Sequence, residues 1–224
     1  MPSILNDPKL EPLLERLHQQ SGAQDGDIGA FFARRAQAGE LSWRGFDDVS
    51  HAFMADKLVA LEAPKAQFCY LMCRALRAKR IVEVGTSHGV STLYLAAAVR
   101  DNGGGVVIGT EYEADKAKAA RANFAAAGLA DVIELREGDL RETLKSVQGP
   151  IDFVLVDIWV EMARPALELI APHLRPGAVV CADNTIQAAP AYPAYFAFVN
   201  EPANGLRTMT LPFDGGFEMT VKVE

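Results

Sequence analysis

The chain has 224 residues, half of them hydrophobic and 23% charged, with a formal net charge of -7. That length suits one domain with an N-terminal extension better than two full domains. The acidic balance argues against nucleic acid as a partner. No uncharged apolar stretch reaches about 18 residues, so no membrane span is expected.

The start, from Met1 to Pro12, has no basic segment, long apolar run or small-residue cleavage site, so no secretion signal is expected. Residues 1–56 are mixed and interrupted by glycines. They read as short helices over about Pro8–Gln20 and Ile28–Ala38, an N-terminal helical cap ahead of a main domain at 57–224. Ala63–Ala78 shows apolar residues at helical spacing, with Pro64 suited to a first turn. Cys69 and Cys73 lie four apart on that helix and read as small core residues, because no His or further Cys completes a ligand set. With Cys181 they make an odd, sparse set, as expected of a reduced cytoplasmic protein.

From Lys79 onward, short apolar runs alternate with longer helical segments. The runs are Ile81–Val84, Val106–Gly109, Val132–Leu135, Phe153–Val156 and Ala178–Cys181. Between them lie Ser91–Arg100, Glu113–Ala127, Leu140–Val147 and Met162–His173. Val- and Ile-rich runs alternating with helices predict a parallel sheet with right-handed crossovers, hence a Rossmann-like α/β fold. Pro176-Gly177 reads as a loop. Leu206–Leu211 and Phe217–Val223, joined through Phe213-Asp214-Gly215-Gly216, predict an antiparallel C-terminal hairpin.

Ile81 to Ser91 reads as strand, tight turn and helix start, with Gly85 and Gly89 in a G-x-x-x-G spacing. Such a turn lets a ligand approach the backbone and offers it free N–H groups. The spacing differs from the dinucleotide fingerprint and the Walker loop, which counts against a nicotinamide cofactor. Glu111, at the end of the second run, can accept bonds from both ribose hydroxyls; Tyr112 can lie beside an adenine, and Asp139 can accept from its amino group. Each has a plainer alternative: a solvated charge, a core aromatic and a helix N-cap. Their order at successive strand ends favours a nucleoside site.

Glu-x-Gly-Thr-x-x-Gly-x-Ser, at Glu83–Ser91, resembles the first motif of class I methyltransferases. More narrowly, it resembles the small O-methyltransferases of the catechol and caffeoyl-CoA group, over roughly residues 57–224, including Ala63-Pro64-Lys65-Ala66-Gln67-Phe68 before the first strand. The resemblance implies a mostly parallel seven-stranded sheet with helices on both faces and its last strand antiparallel. It implies S-adenosylmethionine as cofactor. Glu83, Ser91 and the backbone near Leu61 and Gly85, with Thr86 of the same turn, would hold the methionine part. Glu111 would bind ribose, and Tyr112, Asp139 and Trp159 would surround adenine.

Asp157 ends the fourth strand run, and Asp183 and Asn184 end the fifth. Two carboxylates and an amide at one rim form a hard oxygen set that suits Mg²⁺ or another divalent cation, although Asp157 as a helix cap and Asp183-Asn184 as a turn are the plainer readings. The resemblance aligns these three with the family's metal ligands, and Asp157 also borders its cofactor. One departure stands out. The family's general base is a lysine three residues after the first metal-binding Asp, and here that position is Val160. His51 and Glu161 are the remaining candidates for a base. Trp43, Arg44, Phe46 and Phe53 are either core of the cap or walls of an acceptor pocket. The expectation is a metal-assisted O-methyltransferase acting on a small hydroxylated molecule; the alternatives are a metal-independent methyltransferase on another acceptor and a non-catalytic S-adenosylmethionine-binding protein. By resemblance it would be a homodimer.

Overall fold

A computed structural model describes residues 4–40 and 47–223. A seven-stranded sheet runs through it, with strands β1 (Arg80–Val84), β2 (Val106–Glu111), β3 (Ile133–Glu137), β4 (Ile151–Val156), β5 (Leu174–Asp183), β6 (Leu206–Leu211) and β7 (Phe217–Lys222). Their order is β3-β2-β1-β4-β5-β7-β6. The first five strands pair in parallel, and β7 is antiparallel to both β5 and β6. This is the expected Rossmann-like architecture, and the hairpin inserts its second strand next to β5.

The central strands are apolar throughout because both faces are covered. Ile81, Val107, Phe153, Leu155, Val179 and Cys181 point into one core layer, which also holds the helices α1 (Leu10–Gly22), α4 (Ala63–Ala75), α5 (Val90–Asp101) and α6 (Ala114–Ala127). Val82, Val84, Ile108, Val154, Val156, Val180 and Ala182 point into the other, against α7 (Leu140–Thr143), α8 (Val160–Ile170) and α9 (Pro193–Val199). Period-two alternation along each strand produces this division.

The N-terminal helices differ among themselves. Leu10, Leu13, Leu14 and Leu17 of α1 are buried in the same core layer as α5. Burial of this kind stabilises by roughly 1.5–3 kcal/mol per side chain. Helix α2 (Asp25–Gln37) buries no residue fully. Phe31 stacks on Phe53 at 3.8 Å between ring centroids, so Phe53 packs within this segment. Trp43, Arg44 and Phe46 lie outside the described residues.

Three local readings change. Helix α3 (Asp48–Met54) is added, its N-terminus capped by Asp47, which accepts from the Val49 and Ser50 N–H groups. Short α9 is added within an aromatic- and proline-rich stretch of weak helical preference. Strand β5 runs through Pro176-Gly177, where the ladder to β4 skips from Leu174 to Val179, so the missing proline N–H breaks no paired register. Among the described residues, no helix is long and apolar enough to cross a membrane.

Candidate active site

The strand register sets out one row of positions along the C-terminal rim. Val84 pairs with Thr110 and Val156, Glu111 with Glu137, and Val156 with Ala182. Glu111, Gly85, Asp157 and Asp183 therefore stand side by side on β2, β1, β4 and β5. Neighbouring strands are about 4.8 Å apart, so the row spans about 15 Å. The strand order reverses between β1 and β4, where open α/β sheets bind ligands.

The turn after β1 is tightly built. Gly85 has φ +92°, and a Cβ there would overlap the Asp157 carbonyl oxygen. Gly89 has φ +82°, and a Cβ there would collide with the Phe124 ring of α6. Only glycine meets both demands. Beneath the turn lies Glu83, fully buried. One carboxylate oxygen accepts from Ser91 Oγ at 2.7 Å, and the other from Thr86 Oγ1 at 3.0 Å and from the Thr92 hydroxyl. Burial pushes the Glu83 pKa up to about 7, although the hydroxyl bonds pull the other way. The side chains of Glu83, Thr86 and Ser91 thus bond to one another, and Leu61, also buried, belongs to the core before α4.

Glu111 is held differently. Its two oxygens accept the Ser87 N–H at 2.7 Å and the Glu113 N–H at 2.9 Å. A carboxylate oxygen has two lone pairs, so each keeps one for a ligand hydroxyl. Tyr112 is 66% exposed and Trp159 is 37% exposed, unusual for such large rings. Asp139 caps α7 through the Arg141 N–H and grips the Arg141 guanidinium, which holds its carboxyl below the usual range. Its plainer role as an N-cap is therefore present.

On the other side of Gly85 the carboxylates are crowded. Among the described residues, the Asp157 carboxylate has no hydrogen-bond or ion-pair partner. Burial, with Asp183 beside it, pushes its pKa well up. Asp183 accepts from Lys65 Nζ at 2.6 Å, and Lys65 also meets Glu62 at 2.6 Å. Burial raises the Asp183 pKa; it also disfavours the Lys65 ammonium, but the bonds to Asp183 and Glu62 outweigh this and lift the lysine above its ordinary value. Asn184 adopts a left-handed φ of 58°, and Thr185 beyond it has a buried hydroxyl with no partner among the described residues. The backbone N–H groups of Ile186 and Gln187 donate to the Gly215 carbonyl, tying this loop to the hairpin turn.

The two candidate bases lie apart from one another. His51 sits on α3 with Nε2 2.6 Å from Glu113 and its ring edge-on to Tyr112, at the β2 end of the rim. Glu161 lies in the first turn of α8. Val160 packs against the core layer under that helix. Lys65, within the quoted resemblance but given no role there, is the residue sequence reasoning missed. Its signal is its place on the stripe Lys65-Cys69-Cys73, which is otherwise apolar and buried.

Residues 82–185 match a family model described as "Methyltransferase domain". That match runs from β1 to just past β5. It is 34% identical over 130 residues to a catechol O-methyltransferase of Mycobacterium tuberculosis, covering 58% of each chain. Cofactor-bound Rv0187 from MTB superposes with a TM-score of 0.69 at 28% identity, over 79% of this chain and 88% of that one. The O-methyltransferase TomG from Streptomyces achromogenes, in complex with SAM, superposes with a TM-score of 0.63 at 25% identity, over 86% and 96%. The chain spans about 58% of the length of the curated relatives it matches.

Proposed function

We propose that this protein is an S-adenosylmethionine-dependent O-methyltransferase acting on a small hydroxylated molecule of catechol or phenol type. The observation that carries the reading is the rim row itself. A glycine turn stands between a carboxylate shaped for a ribose diol and a pair of carboxylates facing the position of an acceptor. The catechol O-methyltransferase relative and the SAM complex of TomG support it.

In this reading the chain's residues divide the work. Glu83, Thr86, Ser91 and Thr92 hold the turn rigid from below, and the backbone at Gly85 and near Leu61 takes the methionine part with Asp157 beside it. Glu111 receives the ribose, and Tyr112, Asp139 and Trp159 border the adenine. S-adenosylmethionine, when bound, supplies a sulfonium methyl for in-line displacement by the acceptor oxygen. Holding donor and acceptor in line is the protein's main contribution to rate. Within the cap segment expected over residues 1–56, α3 borders this rim, supported by the contact of His51 with Glu113 and Tyr112.

The oxygen set at Asp157, Asp183 and Asn184 fits a divalent cation such as Mg²⁺. The fit rests on the Thr185 hydroxyl next to Asn184, buried and without a partner among the described residues, and on the Asp157 carboxylate crowded by Asp183. A bound ion would orient the acceptor hydroxyl and lower its pKa. That route asks nothing of Val160, and it leaves His51 and Glu161 without a necessary role as base. A homodimer in the cytoplasm accompanies the reading, by resemblance and from the three free, buried cysteines.

The test is ligand selectivity followed by turnover. S-adenosylhomocysteine should raise the melting temperature while NAD does far less, since a ligand selective for the folded state stabilises by mass action. Methyl transfer to a panel of substituted phenols should then fall on chelation and return with Mg²⁺ or Mn²⁺. Preferential stabilisation by NAD would falsify the cofactor assignment, and full turnover in excess chelator would remove the ion from it.

A further inference from the structure

The acidic pair already holds one positive charge. Lys65 leaves the first turn of α4, is 1% exposed, and reaches Asp183 Oδ1 at 2.6 Å. Its ammonium also meets Glu62 at 2.6 Å and lies 6.0 Å from the centre of the Phe217 ring. The hairpin turn closes over it, with Gly215 tied to the loop after Asn184. A side chain so enclosed cannot swing away to water as a surface lysine would. Asp183 is therefore engaged on one oxygen by a fixed cation.

We propose that Lys65 is a built-in competitor of the divalent cation, setting a weak affinity at Asp157, Asp183 and Asn184. The proposal rests on the methyltransferase reading and specifies how that site handles its ion. The charges explain the effect. Asp157, Asp183 and Glu62 alone would offer a divalent ion a complementary charge of -3, but with the ammonium between Asp183 and Glu62 the set carries -2. A second cation entering within a few ångströms of a fixed ammonium meets repulsion in a half-buried setting, where screening is weak. The ion must share Asp183 with the lysine, so occupancy follows the ambient concentration of the ion. The position of the lysine on α4 makes it a positioning residue, acting through Asp183.

The experiment is a titration of purified full-length protein with MnCl₂, followed by calorimetry and by the electron paramagnetic resonance of free Mn²⁺. It compares the wild type with Lys65→Gln and Lys65→Met. Glutamine keeps a hydrogen bond to Asp183 without the charge, and methionine fills the same volume; either carries the test if the other fails to fold, as judged by thermal melting. Removing the ammonium should tighten Mn²⁺ binding by about tenfold or more. Adding Asp183→Asn to either variant should abolish the gain. Unchanged or weaker Mn²⁺ affinity in a folded Lys65 variant would overturn the proposal. S-adenosylhomocysteine titrated into the same samples separates the two levels of the argument. Loss of the Mn²⁺ effect with that binding intact sinks only the role of Lys65, whereas a wild type that does not bind it sinks the methyltransferase reading.

Discussion

The two halves of the rim treat their carboxylates in opposite ways. On the β1–β2 side, Glu83 is engaged by three hydroxyls and Glu111 by two backbone N–H groups, all from residues within about one turn or one neighbouring strand. On the β4–β5 side, Asp157 has no partner among the described residues, and Asp183 depends on a lysine 118 residues away in sequence. Local hydrogen bonding holds the first half in place before any ligand arrives. The second half keeps unmet negative charge. The difference fits the proposed reading, in which one side recognises a constant molecule and the other is completed by the cation that enters it.

Removing Asp183 is the most damaging way to probe this contrast. Asp183→Ala leaves the Lys65 ammonium buried with Glu62 as its remaining ion-pair partner among the described residues. Breaking a buried pair costs about 3–5 kcal/mol, and partly exposed Glu62 should keep the loss near the lower figure. Denaturant unfolding would measure it, and a loss below about 1 kcal/mol would show that the pair behaves like a surface one.

A smaller effect tests the rigid half through pH. Burial raises the Glu83 pKa from 4.5 to about 7. Between those values the folded protein keeps a proton that the unfolded chain has released. The stabilisation is therefore fully present below about pH 4.5 and is lost as pH rises toward 7, with a total on the order of 3 kcal/mol. Asp157 and Asp183 slope the same way, so the comparison of interest is wild type against Glu83→Gln. Unfolding free energies at pH 5 and pH 7.5 should converge or cross between the two proteins; parallel curves would mean that Glu83 is ionised throughout.

The smallest expected change is in cofactor affinity. Glu111→Ala should weaken S-adenosylhomocysteine binding by about tenfold or more, because bonds from ligand hydroxyls to a charged acceptor are worth roughly 1.5 kcal/mol or more each. Calorimetric titration reads it directly. An unaltered affinity would move the ribose away from the β2 end and blur the contrast between the halves.

The rigid half was legible in the sequence because its contacts are local. A glycine turn, its flanking hydroxyls and the carboxylate ending the next strand lie within a short stretch, and strand alternation alone places them on one rim. Asp157, Asp183 and Asn184 were legible by the same rule of strand ends. Lys65 was not, since its meeting with Asp183 depends on how α4 packs across the sheet. The bond network that binds Glu83, Thr86 and Ser91 to one another was also hidden: a motif gives the residues but not which way their side chains turn. Helices α3 and α9 escaped because seven residues are too few to show a period.

The placing of the hairpin has a consequence for how such a protein diversifies. Strands β6 and β7 join the sheet last in sequence and at its far edge, and their turn hydrogen-bonds to the loop after Asn184. Gly215 and Gly216 hold positive φ, and a Cβ on Gly216 would meet Ile186 at 2.5 Å, so any redrawn turn must keep glycine there or move the loop after Asn184 with it. Under the proposed function, that turn and loop form one movable piece on the acceptor side, redrawn together while the β1–β2 side stays in place.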